Sequence, residues 1–254
     1  MLAAQRQELL LRRLESEGRI VAKDIAAELQ ISEDSIRRDL RELAAAGLCQ
    51  RVYGGALPVS PAIADLQTRT NVQPDSKLRV ATRAARLITP GTTAILDGGT
   101  TALAVARSLP PDLRATIVTH SPTVAVEAAR HPGVDIVMLG GRLYRHSMVN
   151  VGAAVIEAAA RVRADLYFMG VTGVHPDEGL TTGDAEEAAV KRALHARAAE
   201  TIVLASAEKL LAASPFMVAP LADVGLVVVP PGTAERVVRA LRACGVKLKR
   251  LSRR

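Results

Sequence analysis

The sequence predicts a small helix-rich N-terminal module followed by a larger α/β domain built on a mostly parallel sheet. Three observations carry this reading. Residues 3–46 show apolar side chains at helical spacing. Residues 57–74 hold Pro58, Pro61 and Pro74 with little periodicity. From Asp75 onward, helical segments alternate with short apolar runs, as in a parallel sheet connected by helices.

Within the first module, 3–17 is a helix with Leu10, Leu11 and Leu14 among charges, stopped by Gly18. Residues 24–30 form a short second helix that opens on Asp24 and buries Ile25 and Leu29. Ser32 is the expected N-cap of a third helix, with Glu33 and Asp34 favouring its dipole. That helix runs to about Ala46 and ends at Gly47. Leu48–Ala56 alternates partly and contains a Gly-Gly pair, which suits a tight hairpin or wing. The expected boundaries are 1–57 for this module, 58–74 for a linker and 75–254 for the second domain.

In the second domain the helical segments are 75–89, 101–108, 121–130, 152–162, 184–198 and 232–243. The apolar runs are 93–97, 115–119, 134–139, 164–171, 201–205 and 224–229. Ligands of open sheets sit at the carboxyl ends of the strands, which directs attention to the residues that follow each run.

Composition narrows the function classes. The chain has 254 residues, enough for two domains, and 49% of them are hydrophobic but only 2% aromatic. Its core must therefore be built from Ala, Leu, Val and Ile. Cys49 and Cys244 lie far apart without metal-ligand spacing, which argues against a disulfide framework or a zinc site and fits a reducing cytoplasm. Arg6, Glu8, Arg12 and Arg13 precede any long apolar run, so the start does not read as a signal peptide. No stretch approaches the roughly 20 apolar residues of a membrane span. The expectation is a cytoplasmic protein with no membrane partner, no metal and no cofactor.

The net charge of +7 invites a nucleic-acid reading, but its distribution weakens that argument. Eight basic residues and no acid lie from Arg236 to the end, whereas residues 1–57 hold nine Lys/Arg and nine Asp/Glu. The direction of individual arginines matters more. On a helix turning about 100° per residue, Ile36, Leu40 and Leu43 form one stripe, and Arg37, Arg38 and Arg41 fall opposite. Following a short helix and a turn at Gln30–Ile31, this is helix-turn-helix spacing. Such arginines can read guanine edges or hold phosphates, and Arg51 in the wing can add a positioning contact. Periodicity alone fits equally a solvated amphipathic helix with Arg38 paired to Asp34 or Glu42.

The stretch ISEDSIRRDLRELAAAGLCQRVYGGA resembles the DNA-binding signature of DeoR-type regulators: a hydroxyl residue, an aliphatic residue, Arg-Arg-Asp-Leu, a Gly-Leu wing start, then Arg-Val-aromatic-Gly-Gly-Ala. Arg6 and the spaced leucines upstream fit as well. Ser35 stands where the family usually has Thr, keeping the hydroxyl. The resemblance implies a winged helix-turn-helix that binds double-stranded operator DNA through Ser32, Ser35, Arg37, Arg38, Arg41, Arg51 and Tyr53, with Asp39 orienting the arginines.

In the second domain, Asp97-Gly98-Gly99-Thr100-Thr101 stands where a strand gives way to a helix. Glycine N–H groups, hydroxyls and a helix N-terminus suit a phosphate, although an ordinary strand–helix turn has the same make-up. It is neither a Walker loop nor a dinucleotide fingerprint. Other strand ends carry His120 and Ser121, Gly140 and Gly141 with Arg142 and Arg145 nearby, Thr172, then Asp184, Glu187 and Lys191, and finally Lys209. Taken singly, Glu187–Lys191 reads as a surface pair, His120 as a core histidine, and Thr181 or Thr182 as a helix cap.

Taken in order, from about Lys77 to about Val229, these groups resemble the sensor domain of DeoR regulators. That domain is similar to the doubly wound sugar-phosphate isomerase and deaminase fold represented by ribose-5-phosphate isomerase. The resemblance implies a phosphorylated sugar, its phosphate on Gly98–Thr101 and its hydroxyls within reach of Asp97, Asp184, Glu187 and Lys209. Two departures bear on the ligand's identity. His120 replaces a common Asn, and Ser206-Ala207-Glu208-Lys209 replaces an Asp-Ser-Ser-Lys run, leaving out a frequent acid.

The expected function is transcriptional repression of a carbohydrate-catabolic operon by a homodimer or homotetramer, modulated by a phosphosugar. The rival class is an aldose–ketose isomerase or amino-sugar deaminase fused to a DNA-binding module, since Asp97, His120, Asp184, Glu187 and Lys209 include acid–base residue types. A third class, a DNA-binding scaffold without a ligand, predicts no response to any sugar phosphate.

Overall fold

The computed structural model describes residues 2–250; Arg253 and Arg254 of the basic C-terminal run lie outside them. The first module begins with α1 (Ala3–Glu17), which ends at Gly18 in the left-handed region. There follow β1 (Ile20–Val21), α2 (Ala22–Leu29), α3 (Glu33–Ala45), β2 (Gln50–Val52) and β3 (Gly55–Leu57). The three short strands pair antiparallel in the order β1-β3-β2, so the expected wing acquires an extra strand from the α1–α2 connection. Leu10, Leu14, Ile25, Ile36, Leu40 and Leu43 close on one another as the core. Gly55 is required by packing, since a Cβ there would lie 1.8 Å from the Ile20 carbonyl oxygen.

The segment expected as a linker is instead folded against the second domain. A 3-10 turn at Pro61–Ile63 is capped by Ser60, and the five-residue helix α4 (Leu66–Thr70) is capped by Asp65. The buried Ser60 hydroxyl donates to the Thr172 carbonyl, and the Leu66 amide donates to the His146 carbonyl at 2.8 Å. Elements this short show no periodicity, because their order comes from caps and long-range contacts.

The second domain runs α5 (Pro74–Ala85), β4 (Thr93–Leu96), α6 (Thr100–Arg107), β5 (Ala115–Thr119), α7 (Pro122–Ala128), β6 (Val134–Met138), β7 (Arg142–Tyr144), β8 (Val149–Val151), α8 (Ala153–Ala160) and β9 (Ala164–Gly170). It continues with β10 (Gly173–His175), β11 (Gly179–Thr182), α9 (Ala185–His195), β12 (Ala198–Leu204), β13 (Phe216–Ala219), β14 (Leu226–Val229), α10 (Glu235–Ala243) and β15 (Leu248–Arg250). Seven strands form one sheet in the order β15-β14-β12-β9-β4-β5-β6, and every pairing in it is parallel.

Side chains alternate across this sheet into two cores. Ala94, Leu96 and Phe168 face α5, α6 and α7 through Val80, Ala84, Val105 and Val124. Ile95, Tyr167 and Met169 face α8, α9 and α10 through Val155, Val190, Leu194 and Leu241. The sheet is therefore doubly wound, as expected. From β4 the chain runs outward through β5 and β6, and β9 on its other side leads to β12, β14 and β15. The strand order thus reverses between β4 and β9, where open sheets bind ligands.

Two features lie beyond the alternation. β7 and β8 form a hairpin, and β10, β11 and β13 form a separate antiparallel sheet. Strands β8, β10 and β11 are buried at every position, so no polar–apolar alternation marks them. The basic C-terminal run contributes α10 and the sheet-edge strand β15.

Candidate functional site

The first candidate surface is α3 with its adjoining hairpin. Ser32 caps α3, its Oγ accepting from the Ser35 amide at 3.3 Å and lying 2.9 Å from the Ser35 hydroxyl. Ile36, Leu40 and Leu43 are buried, while Arg37, Arg38 and Arg41 point outward, with exposed Arg51 and fully exposed Tyr53 on the hairpin. Arg37 donates to Glu33 Oε1 at 2.7 Å, so the pairing on this helix falls on Arg37 and not on Arg38. A groove between α3 and the hairpin is lined by Arg37, Leu40, Arg51 and Tyr53.

Asp39 does not orient these arginines. It is 1% exposed and receives both Arg6 Nε and, at 3.0 Å, Arg6 Nη2. The Arg-Arg-Asp pattern thus splits into two roles. Its arginines face solvent, and its aspartate clamps α3 to α1.

The second candidate is a cavity at the β4–β9 switch point, lined by residues that follow both strands. Gly98, Gly99, Thr100 and Thr101 form one wall at the N-terminus of α6, where Gly99 takes the N-cap position with no side-chain cap. The uncapped first turn leaves its amides available to an anion. A side chain at Gly98 is excluded, because a Cβ would meet Val149 Cγ1 at 2.0 Å. Facing this wall are Arg69, Lys77, Lys191 and Lys209, with Glu187, Glu208, Ser147 and Thr172.

Beneath the cavity, Asp97 is fully buried and fully engaged. Oδ2 accepts from Lys191 Nζ at 2.7 Å, the Tyr167 hydroxyl at 2.8 Å and the Gly170 amide at 2.9 Å. Oδ1 accepts from the Gly98 amide at 2.8 Å and lies 2.8 Å from His120 Nε2. Burial alone would raise this carboxyl's pKa, but the Lys191 charge and the His120 contact hold it well below the usual carboxylate range. Burial and the Asp97 charge keep the Tyr167 phenol protonated as a donor. Asp97 is thus a fixed anion that organises the loop and does not reach the cavity itself.

Lys209 donates to the Thr101 hydroxyl and the Leu204 carbonyl, each at 3.2 Å. Burial lowers its pKa to about 8; Glu208 opposes this, while Lys77, Arg69 and Lys191 add to it. Lys77 is lowered for the same first reason. Arg69 Nη2 donates to Ser147 Oγ at 3.2 Å, while its buried Nε has no partner among the described residues.

Several expected ligand groups stand elsewhere. His120 is buried between Asp97 and the Asn150 carbonyl, 2.8 Å from each. Ser121 is buried, its hydroxyl donating to the Met148 carbonyl at 3.1 Å. Both support the loop from behind. Gly140 and Gly141 are exposed at the entry to β7, away from the cavity lining, and Arg142 is paired with Glu186 on the surface. Asp184 is spent as the N-cap of α9, accepting from the Glu187 amide at 2.9 Å. Glu187 and Lys191 are both buried rather than a surface pair, Lys191 turning to Asp97 and Glu187 taking the Thr182 hydroxyl at 3.3 Å.

Comparison with known proteins bears on both regions. Residues 6–62 match the DeoR-like helix-turn-helix domain, and residues 72–230 match the DeoR C terminal sensor domain. The chain belongs to the DeoR family. It is 34% identical to the HTH-type transcriptional regulator GlpR of Haloferax volcanii over 83% of each chain. It is 28% identical to a putative aga operon transcriptional repressor of Escherichia coli O157:H7, over 96% of this chain and 93% of that one. Among solved structures it is similar to ribose 5-phosphate isomerase A of Methanocaldococcus jannaschii, at 20% identity over 52% of each chain with a TM-score of 0.39. It is also similar to the sorbitol operon regulator SorC of Klebsiella pneumoniae, at 13% identity over 81% of this chain and 90% of that one, TM-score 0.36.

Sequence reasoning missed four polar residues lining this cavity: Arg69, Ser147, Glu208, and Lys77, which it named only as the place where the resemblance begins. Glu208 was the legible one. It stands in the run whose first position lacks an acid, two residues later, and the 3-10 turn Ala207–Lys209 carries it into the cavity lining.

Proposed function

We propose that this DeoR-family regulator represses a carbohydrate-catabolic operon and that a phosphorylated sugar bound in the β4–β9 cavity changes its affinity for operator DNA. Residues 1–57 act as the DNA-binding head, 75–254 as the effector domain, and 58–74 as the joint between them. The observation that carries the ligand reading is the convergence of Arg69, Lys77, Lys191 and Lys209 on an uncapped helix N-terminus. Buried cations without enough anions around them call for an anionic ligand. The relatives named above include a putative aga operon transcriptional repressor, in keeping with an effector drawn from carbohydrate metabolism.

Arg69 gives the effector a hold on the joint. An anion that engages its free Nε would bias α4, and with it the chain leading back to the hairpin. The change in operator affinity is bounded by the effector's differential affinity for the two arrangements. On the DNA side, Arg38 and Arg41 make base or phosphate contacts, Ser32, Ser35, Arg51 and Tyr53 position the backbone, and Arg37 joins once released from Glu33. Two heads on palindromic half-sites require a homodimer or homotetramer. The compartment is the cytoplasm; no helix among the described residues is long and apolar enough to cross a membrane.

Sensing without turnover is the reading that the site's chemistry favours. Asp97 and His120 are the residue types an isomerase needs, but both are fully buried and already engaged. The deciding experiment titrates phosphosugars into the full-length chain bound to an operator fragment. At least one should shift operator affinity and be recovered unchanged after incubation. If saturation with every phosphosugar that binds leaves operator affinity unaltered, the sensing role is lost; conversion of the ligand would restore the enzyme reading.

A further inference from the structure

Glu208 is the acid that the arrangement of cations does not explain. Its side chain is 4% exposed and lines the cavity. One oxygen, Oε1, accepts from the Ser206 hydroxyl at 2.7 Å and lies 3.8 Å from Lys77 Nζ. The other, Oε2, is buried with no hydrogen-bond partner among the described residues. A buried carboxylate oxygen left bare costs several times what a neutral hydrogen bond contributes. A ligand that supplies the donor removes that cost.

We infer that Glu208 determines specificity: its free oxygen accepts from uncharged hydroxyls of the effector, which is a polyhydroxylated monophosphate. This rests on the phosphosugar reading and narrows it. Two charge arguments select the class. The ionisable groups at the cavity are Arg69, Lys77, Lys191 and Lys209 against Glu187, Glu208 and the buried Asp97 that pairs with Lys191, a balance of +1. One phosphate of charge about −2 leaves that balance within one charge of neutral, whereas a bisphosphate of twice that charge overshoots it further. Glu208 also already acts on Lys77 and Lys209, raising the pKa of each against burial. A ligand ammonium would be one more cation beside that pair, whereas a hydroxyl adds a donor without charge.

Calorimetric titration of the full-length chain tests this with inorganic phosphate, glycerol 3-phosphate, ribose 5-phosphate, fructose 6-phosphate, glucose 6-phosphate and glucosamine 6-phosphate as probes. The tightest binder should be one of the hydroxylated monophosphates that carry no ammonium group. Glu208→Gln should weaken it about tenfold or more, the loss of a charge-assisted hydrogen bond, while inorganic phosphate binds as before or tighter. Glu208→Asp keeps the charge, withdraws it by one methylene, and should lower sugar-phosphate affinity relative to that for inorganic phosphate; it serves if the Gln variant does not fold. Equal losses for the sugar phosphate and inorganic phosphate, or none for either, overturn the assignment to Glu208. So does tighter binding of glucosamine 6-phosphate than of glucose 6-phosphate. Failure of the wild-type chain to bind any of the six removes the phosphosugar reading itself, and this inference with it.

Discussion

The DNA-binding head and the sensor domain use cations in opposite settings. In the head, Arg38, Arg41 and Arg51 stand in water, and burial is left to Ile36, Leu40 and the Arg6–Asp39 clamp. In the sensor, Lys77, Lys191 and Lys209 are buried, as is much of Arg69, and the aliphatic residues form two sheet-flanking cores around them. An exposed guanidinium keeps its hydration until DNA replaces it. A buried ammonium has already lost its water and leans on whatever anion is near. Substitutions in the two regions should therefore differ in kind: the sensor's cost folding, and the head's surface arginines cost only binding.

The sharpest contrast is at Asp97. Asp97→Asn leaves Lys191 buried without its counter-charge and should destabilise the sensor domain by roughly 3–5 kcal/mol, read by urea unfolding at pH 7. The sign with pH follows from its depressed pKa. The stabilisation is present above the unfolded carboxylate value near 4 and is lost as pH falls through the folded value. Acidification below about pH 4 should therefore penalise the wild type more than the variant.

Arg6→Met breaks the comparison from the other side, because the head also contains one buried ion pair. It strands the buried Asp39 without its counter-charge, and should destabilise the head by about 3 kcal/mol. Removing Asp39 should cost less, since Arg6 can turn to water. The check is whether the head's melting moves while phosphosugar affinity does not.

Arg38→Ala should leave melting unchanged and weaken operator binding by about 1–3 kcal/mol if it reads a base. Arg37→Ala should cost less, because Arg37 must first leave Glu33. Equal losses in fluorescence anisotropy would show that the Glu33 pair has no weight.

The last effect is graded with pH and concerns Lys209. With a folded pKa of about 8 against about 10.4 unfolded, its burial penalty is full below pH 8 and relieved as pH rises toward the unfolded value. Apo stability should gain from this group between pH 8 and 10. Phosphosugar affinity should fall over the same range by up to about tenfold per pH unit. Lys209→Gln should flatten both profiles.

The same contrast explains what could be read from the sequence. A surface helix announces itself locally: the 3–17 helix, the Ser32 cap and the outward arginines follow from spacing alone. So does the mostly parallel sheet, six of whose strands are long enough to register as apolar runs; its double winding is what the family resemblance implies, and the short edge strand β15 left no such run. The cavity is assembled from long range. Asp97 could be located by its loop, but its five donors come from positions 98, 120, 167, 170 and 191, and nothing in the spacing says that they meet. Arg69 carried no local signal, because its helix is five residues long and sits between prolines. Asp39 misled because one step along a helix turns about 100°, enough to carry it off the arginine face and onto the side that meets Arg6 of α1.

The Ser60 contact to Thr172 has a mechanical consequence. Strand β3 of the wing ends at Leu57 and the chain is anchored again at Ser60, so the leash between the two regions has almost no slack. A longer tether would damp any displacement made around Arg69. This one transmits it, and lengthening the Pro58–Val59 stretch with glycines is the direct way to let metabolite occupancy and operator occupancy go their separate ways.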